Sequence, residues 1–223
     1  MILTFPKVLA PEEHRALLDL IADAEFVPGR ETAGRHIAEI KHNRQIGKQS
    51  PALPRITEIV LAALRRNDAF RDATYPKQLH SLLVSRYTPG MYYGPHVDAA
   101  LMGEAVVWRT DLSLTLFLNP PDAYDGGELA LGSGSGEIRI KLDALDLVCY
   151  LTSQLHQVLP VTRGERLAVV AWIQSHVRDP GAREALWDLA QARALIRVEQ
   201  GGSRAYDLVN KAHANLLRRW AEP

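Results

Sequence analysis

Leu112, Leu114, Leu116 and Leu118 alternate with Asp111, Ser113, Thr115 and Phe117. A two-residue period throws the leucines onto one face of an extended strand. Ile138, Ile140 and Leu142 alternate with Arg139 and Lys141 in the same way. Further short strands are expected at 79–87, 127–131, 146–151, 156–161 and 166–175. The segments between them are rich in turn formers: Asn119-Pro120-Pro121-Asp122, Asp125-Gly126-Gly127, Gly132-Ser133-Gly134-Ser135-Gly136 and Arg163-Gly164-Glu165. Many short strands at this spacing restrict the middle of the chain to a jelly roll or a barrel.

Helical patterns flank this β region. Pro11-Glu12-Glu13 opens a helix, with proline in the first turn and acids at the positive end of the dipole; Leu17, Leu18, Ile21 and Ala24 follow, and Pro28-Gly29 closes the segment. A second helix is expected after Pro54, with Ile56, Ile59, Val60, Ala63 and Leu64 as its apolar stripe. Residues 37–46 read as a strand or an extended loop. After Asp179-Pro180-Gly181 two more helices are marked by Ala185, Leu189, Ala192 and Ile196, then by Leu208, Val209, Ala212, Leu216 and Trp220. They cannot bury these residues alone and must pack on the β core or on a partner subunit, so a homodimer is an open expectation. The division expected is a domain over 1–178, with the N-terminal helices on a β core, and a helical extension over 179–223.

The 26 acids and 26 bases of this 223-residue chain balance, which leaves no electrostatic case for nucleic acid or an anionic membrane. The lone cysteine, Cys149, lies in the apolar run 147–151 and reads as a small buried hydrophobe. With no internal disulfide, no secretion signal in MILTFPKVLAPEEH and no bilayer-length apolar stretch, the expected location is the cytoplasm.

His96, Asp98 and His156 carry the chemistry. Residues two apart in a strand project from one face, so His96 and Asp98 can address one metal, and His156, at the head of another strand, can supply a third ligand. Two imidazoles and a carboxylate on one side of a metal leave the other side open, as in non-haem Fe(II) oxygenases; a structural zinc site is more often closed by four ligands. Arg166 follows His156 by ten residues and could fork onto the far carboxylate of a keto-acid cosubstrate. If Arg163-Gly164-Glu165 is a three-residue hairpin loop, Thr162 pairs with Arg166 and His156 with Trp172, and Arg166 shares the face of His156, the two Cα atoms roughly 15–20 Å apart. A two-residue loop would turn Arg166 away. Singly, each residue has a plainer reading: a turn histidine, a capping aspartate, a half-buried strand histidine, a surface arginine. The other histidines, His14, His36, His42, His80, His176 and His213, have no ligand partner at strand or helix spacing. Around His42, Lys41, Asn43 and Gln45 alternate, either lining a cleft or forming an exposed edge.

With Arg86-Tyr87-Thr88-Pro89-Gly90-Met91-Tyr92-Tyr93-Gly94-Pro95-His96-Val97-Asp98 in view, the chain resembles the Fe(II)- and 2-oxoglutarate-dependent prolyl/lysyl hydroxylase superfamily. Arg109-Thr110-Asp111-Leu112-Ser113, Tyr124-Asp125-Gly126-Gly127-Glu128-Leu129 and the Arg-Arg-Trp-Ala-Glu-Pro ending are most similar to bacterial PKHD-type hydroxylases, a group linked to iron uptake. The resemblance implies a double-stranded β-helix (jelly-roll, cupin-like) core and the ligand set His96, Asp98 and His156. It implies Arg166 on the distal carboxylate of 2-oxoglutarate, and ascorbate as the reductant. Tyr87 matches a tyrosine that hydrogen-bonds the cosubstrate in related prolyl hydroxylases, and reads equally as an aromatic core residue. The implied reaction consumes dioxygen, hydroxylates an unactivated C–H bond of a peptidyl side chain or small metabolite, and releases succinate and carbon dioxide. Two other classes stay open from the residues: a non-catalytic metal-binding cupin, which Arg166 argues against, and a zinc hydrolase, which lacks an evident general base near the triad.

Overall fold

The computed structural model describes residues 1–32, 38–103, 105–133 and 136–222. Two antiparallel sheets face each other. The larger has seven strands in the order β1 (Ile2–Phe5), β13 (Leu147–Leu151), β9 (Leu112–Phe117), β16 (Arg166–Ser175), β5 (Pro76–Tyr87), β4 (Arg44–Ile46) and β2 (Phe26–Pro28). The smaller runs β12 (Gly136–Ile140), β11 (Leu129–Ser133), β14 (His156–Val158), β6 (Tyr92–His96) and β3 (Lys41–His42). Two ribbons, β7 (Leu101–Met102) with β8 (Trp108–Arg109) and β10 (Tyr124–Gly126) with β15 (Val161–Gly164), complete the strands described. This is the jelly roll expected from the strand pattern.

The two-residue period explains how the larger sheet is used. Leu112, Leu114 and Leu116 of β9 join Val169, Ala171 and Ile173 of β16 and Leu147 and Cys149 of β13 in one apolar layer. Three helices cover that layer, α1 (Pro11–Ala22), α2 (Ala52–Arg66) and α3 (Asp68–Thr74), through Leu17, Ile21, Ile56, Val60 and Phe70. Each fully buried leucine or isoleucine contributes about 2 kcal/mol. On the other face Phe117, Val148 and Tyr150 meet Leu129, Leu131 and Ile140 of the smaller sheet. Every residue of β9 is therefore buried, Ser113 and Thr115 included. Cys149 is buried in the helix-facing layer, where burial pushes its thiol up to about 12.

Local chemistry sets the helix limits. The Glu13 carboxylate accepts the Ala10 N–H at 2.8 Å and pairs with Arg66 of α2 at 2.8 Å. The second helix starts at Ala52, ahead of Pro54, because Ser50 Oγ accepts the Ala52 N–H at 3.3 Å and the proline fits in the first turn. α3 follows at once, capped by the Asn67 side chain on the Phe70 N–H at 2.9 Å; no sequence signal had separated it. The C-terminal helices α4 (Pro180–Gln200) and α5 (Arg204–Trp220) pack on this chain's own core: Val177, Ala182 and Leu186 cluster with Tyr75, Leu216, Leu217 and Trp220. Arg109 binds Asp111 at 2.7 Å, Glu222 at 3.0 Å and the Ser175 carbonyl at 2.9 Å, tying the chain end to the sheet.

One expectation fails. The strands around Arg163-Gly164-Glu165 do not form a hairpin that pairs His156 with Trp172. β15 pairs with β10 instead, Arg166 lies opposite Tyr87, Trp172 opposite His80 and Ser113, and His156 opposite His96 and Leu131. The turn carries the chain from the smaller sheet to the larger. It passes so close to Ala123 that a Cβ on Gly164, at φ +73°, would lie 2.1 Å from the Ala123 carbonyl oxygen. Of the segment expected over 37–46, the described part gives β3 and β4, one in each sheet. Ile37 and His36 lie outside the described residues, as do Gly134 and Ser135 of the glycine-serine turn. Among the described residues, no helix is long and apolar enough to cross a membrane.

Candidate metal and cosubstrate site

β6 and β14 are neighbours in the smaller sheet with His96 directly opposite His156. The chain leaves β6 just beyond His96 and brings Asp98 back toward both rings. One ligand atom from each of His96, Asp98 and His156 lies within 4.8 Å of the others. His96 Nε2 is 3.6 Å from Asp98 Oδ1, and His156 Nε2 is 3.6 Å from Asp98 Oδ2. Each Nδ1 faces a backbone carbonyl, Gly94 at 2.8 Å and Gln154 at 2.9 Å. A carbonyl only accepts, so the Nδ1 atoms carry the ring protons and both Nε2 lone pairs point to the shared centre.

Asp98 is held from the opposite sheet. Its Oδ2 accepts hydrogen bonds from Ser113 Oγ and Trp172 Nε1, both at 2.8 Å. Burial alone would raise its carboxyl, but the adjacent His96 and His156 rings and the hydrogen bonds from Trp172 and Ser113 outweigh it and hold the group below the usual carboxylate range. For His156, burial dominates and pushes the imidazole below its ordinary value, with Asp98 opposing. The Tyr93 ring stacks on His96 with centroids 3.7 Å apart, and the Tyr150 ring meets His156 at 5.1 Å. Two imidazoles and a carboxylate, buried and aimed at one point, fit a divalent metal with oxygen and nitrogen preference.

Arg166 is 1% exposed and lies in the same cavity as the triad. Its guanidinium carbon sits 5.2 Å from the Tyr87 ring centroid and 5.4 Å from that of Phe117. Among the described residues its Nε has no hydrogen-bond partner, and burial raises the nearby Tyr124 hydroxyl while the Arg166 guanidinium and its hydrogen bond oppose. Tyr87 serves both readings given to it: its ring packs with Val158 and Val161 and also lines the cavity beneath Arg166. Burial raises the Tyr87 hydroxyl, with Arg166 opposing.

The alternation at 41–45 resolves in favour of a cleft. Lys41, Asn43 and Gln45 are buried and line this cavity, whereas His42 points out, its Nε2 3.0 Å from the Glu39 carbonyl oxygen. His14, His80, His176 and His213 join no cluster of three metal-ligating side chains among the described residues. A wider surface cleft beside Asp19, Asp23 and Lys48 contains none of the residues above. Sequence reasoning missed the roles of Ser113, Trp172 and Tyr93. The first two were within reach, since Trp172 lies six residues from Arg166 on one strand and Ser113 sits on the face of β9 opposite its leucines.

Residues 82–174 match the 2OG-Fe(II) oxygenase superfamily, the class that this fold and site define. The chain is 51% identical over 223 residues to a PKHD-type hydroxylase of Synechococcus sp. (strain JA-2-3B'a(2-13)), covering all of both proteins. It is 48% identical over 222 residues to a PKHD-type hydroxylase of Maricaulis maris (strain MCS10), again over the full length of each. The chain thus belongs to the PKHD-type hydroxylases and is a 2-oxoglutarate-dependent hydroxylase. A crystal structure of a Pseudomonas putida prolyl-4-hydroxylase shares the fold, with a TM-score of 0.51 and 24% identity, covering 78% of this chain and 92% of the other. So does a 2OG-Fe(II) oxygenase family oxidoreductase of Burkholderia pseudomallei, with a TM-score of 0.55 and 18% identity over 77% and 82%.

Proposed function

We propose that His96, Asp98 and His156 hold the ferrous ion and that Arg166 binds the distal carboxylate of 2-oxoglutarate, with Tyr87 beside it. The observation that carries this reading is the convergence of three donor atoms within 4.8 Å in the cavity that also holds the buried Arg166. When bound, Fe(II) and 2-oxoglutarate supply the activation of dioxygen and the oxidation of a C–H bond, with release of succinate and carbon dioxide.

The protein's own part is positioning. The carbonyls of Gly94 and Gln154 fix the imidazole tautomers, and Trp172 and Ser113 fix the Asp98 carboxylate. Arg166, held between two aromatic rings, offers a planar fork to a carboxylate. Tyr93 and Tyr150 wall the metal centre from the sides and keep bulk water away. The substrate is a peptidyl side chain or a small metabolite, and ascorbate keeps the iron reduced. A cytoplasmic setting is supported by the single buried thiol. A homodimer is supported by the exposed apolar residues Leu195 and Val198 on α4. Residues 1–178 act as the oxygenase unit, with 179–223 as a helical extension docked on it.

Succinate release from Fe(II) and 2-oxoglutarate tests the assignment. His96→Ala and Asp98→Ala are expected to abolish it, and Arg166→Met to raise the KM for 2-oxoglutarate at least tenfold. Wild-type rates in these variants would overturn the ligand set.

A further inference from the structure

We infer that Tyr124 positions the Arg166 guanidinium for the distal carboxylate of 2-oxoglutarate, holding its edge while two other rings hold its faces. The inference rests on the reading above, in which Arg166 binds that carboxylate. Tyr124 opens β10 and lies opposite Gly164 of β15, two residues before Arg166. The β10–β15 ribbon thus brings the tyrosine and the arginine to one corner. Tyr124 is fully buried there. A Cβ on Gly127 would lie 3.1 Å from Tyr124 Cε2 and 3.2 Å from Arg166 Cδ, so the ring edge and the arginine stem meet over the bare Cα of that glycine.

This contact differs in kind from the other aromatic ones. Tyr87 and Phe117 place their ring centroids 5.2 and 5.4 Å from the guanidinium carbon. An aromatic face attracts a cation but fixes no direction within the guanidinium plane. A hydrogen bond does fix one. The Tyr124 hydroxyl accepts such a bond from Arg166, whose guanidinium can only donate. Among the described residues Arg166 Nε has no hydrogen-bond partner, so the fork's direction depends on the bond to Tyr124. Lys141 holds the tyrosine in turn: its Nζ donates to the Tyr124 carbonyl at 2.6 Å and lies 4.1 Å from the ring centroid. Tyr124 is therefore a fixed strut and does not follow the arginine.

Calorimetry on the full chain loaded with Mn(II), without oxygen, tests this with two keto acids. 2-Oxoglutarate carries the distal carboxylate; 2-oxopentanoate has a methyl group in its place. Tyr124→Phe keeps the ring, its packing on Gly127 and its contact with Lys141, and removes the acceptor. It is expected to raise the Kd for 2-oxoglutarate about tenfold, the scale of a hydrogen bond to a charged group. The Kd for 2-oxopentanoate and the Mn(II) affinity should stay within twofold, a split that a merely structural role would not produce. In an Arg166→Met background the same substitution should change 2-oxoglutarate affinity by less than twofold, because the hydroxyl acts through the guanidinium. If Arg166→Met binds 2-oxoglutarate as tightly as wild type, the underlying assignment of Arg166 is what fails. The inference for Tyr124 is overturned if Arg166→Met weakens 2-oxoglutarate but Tyr124→Phe stays within twofold of wild type. It is overturned equally if Tyr124→Phe weakens both keto acids alike, or if its effect persists in full beside Arg166→Met.

Discussion

Trp172 donates its indole N–H to Asp98 Oδ2 at 2.8 Å, joining the larger sheet to the proposed metal ligand just beyond β6 of the smaller one. With the bond from Ser113 it engages Oδ2, while Oδ1 lies 3.6 Å from His96 Nε2. Outer partners of this kind raise metal affinity by orienting the ligand rather than by touching the ion. Trp172→Phe keeps most of the ring volume and removes the donor, so metal affinity is expected to fall about tenfold. A chelator-competition titration measures it, and an unchanged affinity would show that Ser113 alone suffices to hold Asp98.

The same cluster sets a pH dependence. His156 titrates below its ordinary value of 6.5 because burial disfavours the charged ring, and Asp98 partly offsets this. With the folded value below the unfolded one, the folded apo protein binds fewer protons in the interval between them. Its stability contribution is intact above 6.5 and is lost as pH falls through that interval. Asp98→Asn removes the opposing charge, so the His156 titration should move further down. Imidazole resonances followed by NMR in the apo protein report this directly; an upward move would contradict the assigned balance of burial and charge.

Gly127 lies against the arginine that closes the cavity. A Cβ there would meet Arg166 Cδ at 3.2 Å, Tyr124 at 3.1 Å and a Val161 methyl at 2.9 Å, on a backbone at φ +66°. Gly127→Ala is therefore strained by its conformation and by crowding. The displaced guanidinium is expected to cost about tenfold in affinity for 2-oxoglutarate, from a loss of roughly 1.4 kcal/mol. Metal binding should be spared. Calorimetric titration of both ligands checks the split, and equal losses would point to general unfolding instead.

Much of this was legible in the chain because period and spacing are local. The leucine alternation of β9 found its helix-facing side, and the His96–Asp98 spacing brought two ligand candidates together. What stayed hidden was pairing across the sheets. Nothing in the segment from His156 to Trp172 says that β15 leaves to join β10, since strand pairing is decided by the global closure of the sandwich rather than by the turn at Gly164. The partners of Asp98 were legible only in part: strand parity puts Ser113 and Trp172 on inward faces, but they are 15 and 74 residues away from it and nothing local pairs them with it. Lys41, Asn43 and Gln45 showed an alternation, but an edge strand exposed to solvent would show the same one.

Arg183 offers a last test, of how the C-terminal helices are anchored. It is 1% exposed, and its Nη1 donates to the carbonyls of Val177 at 2.6 Å and Arg178 at 2.9 Å, at the corner where β16 gives way to α4. Burial lowers its pKa, with Asp111 the largest opposing influence. Arg183→Met would keep the apolar stem and remove the burial cost of the charge, but would leave two corner carbonyls without their donor. Hydrogen bonds to charged groups contribute about 1.5–3 kcal/mol each, and part of that loss is offset by the desolvation avoided, which leaves a net cost of about 2 kcal/mol. For a chain of this size the melting temperature should fall by roughly 4–8 °C. The triad uses neither carbonyl, so Mn(II) affinity below the transition should stay within twofold. Thermal unfolding followed beside a metal titration measures both. If affinity falls together with stability, the corner and the metal centre are coupled through β16, and the anchoring role of Arg183 extends to the site.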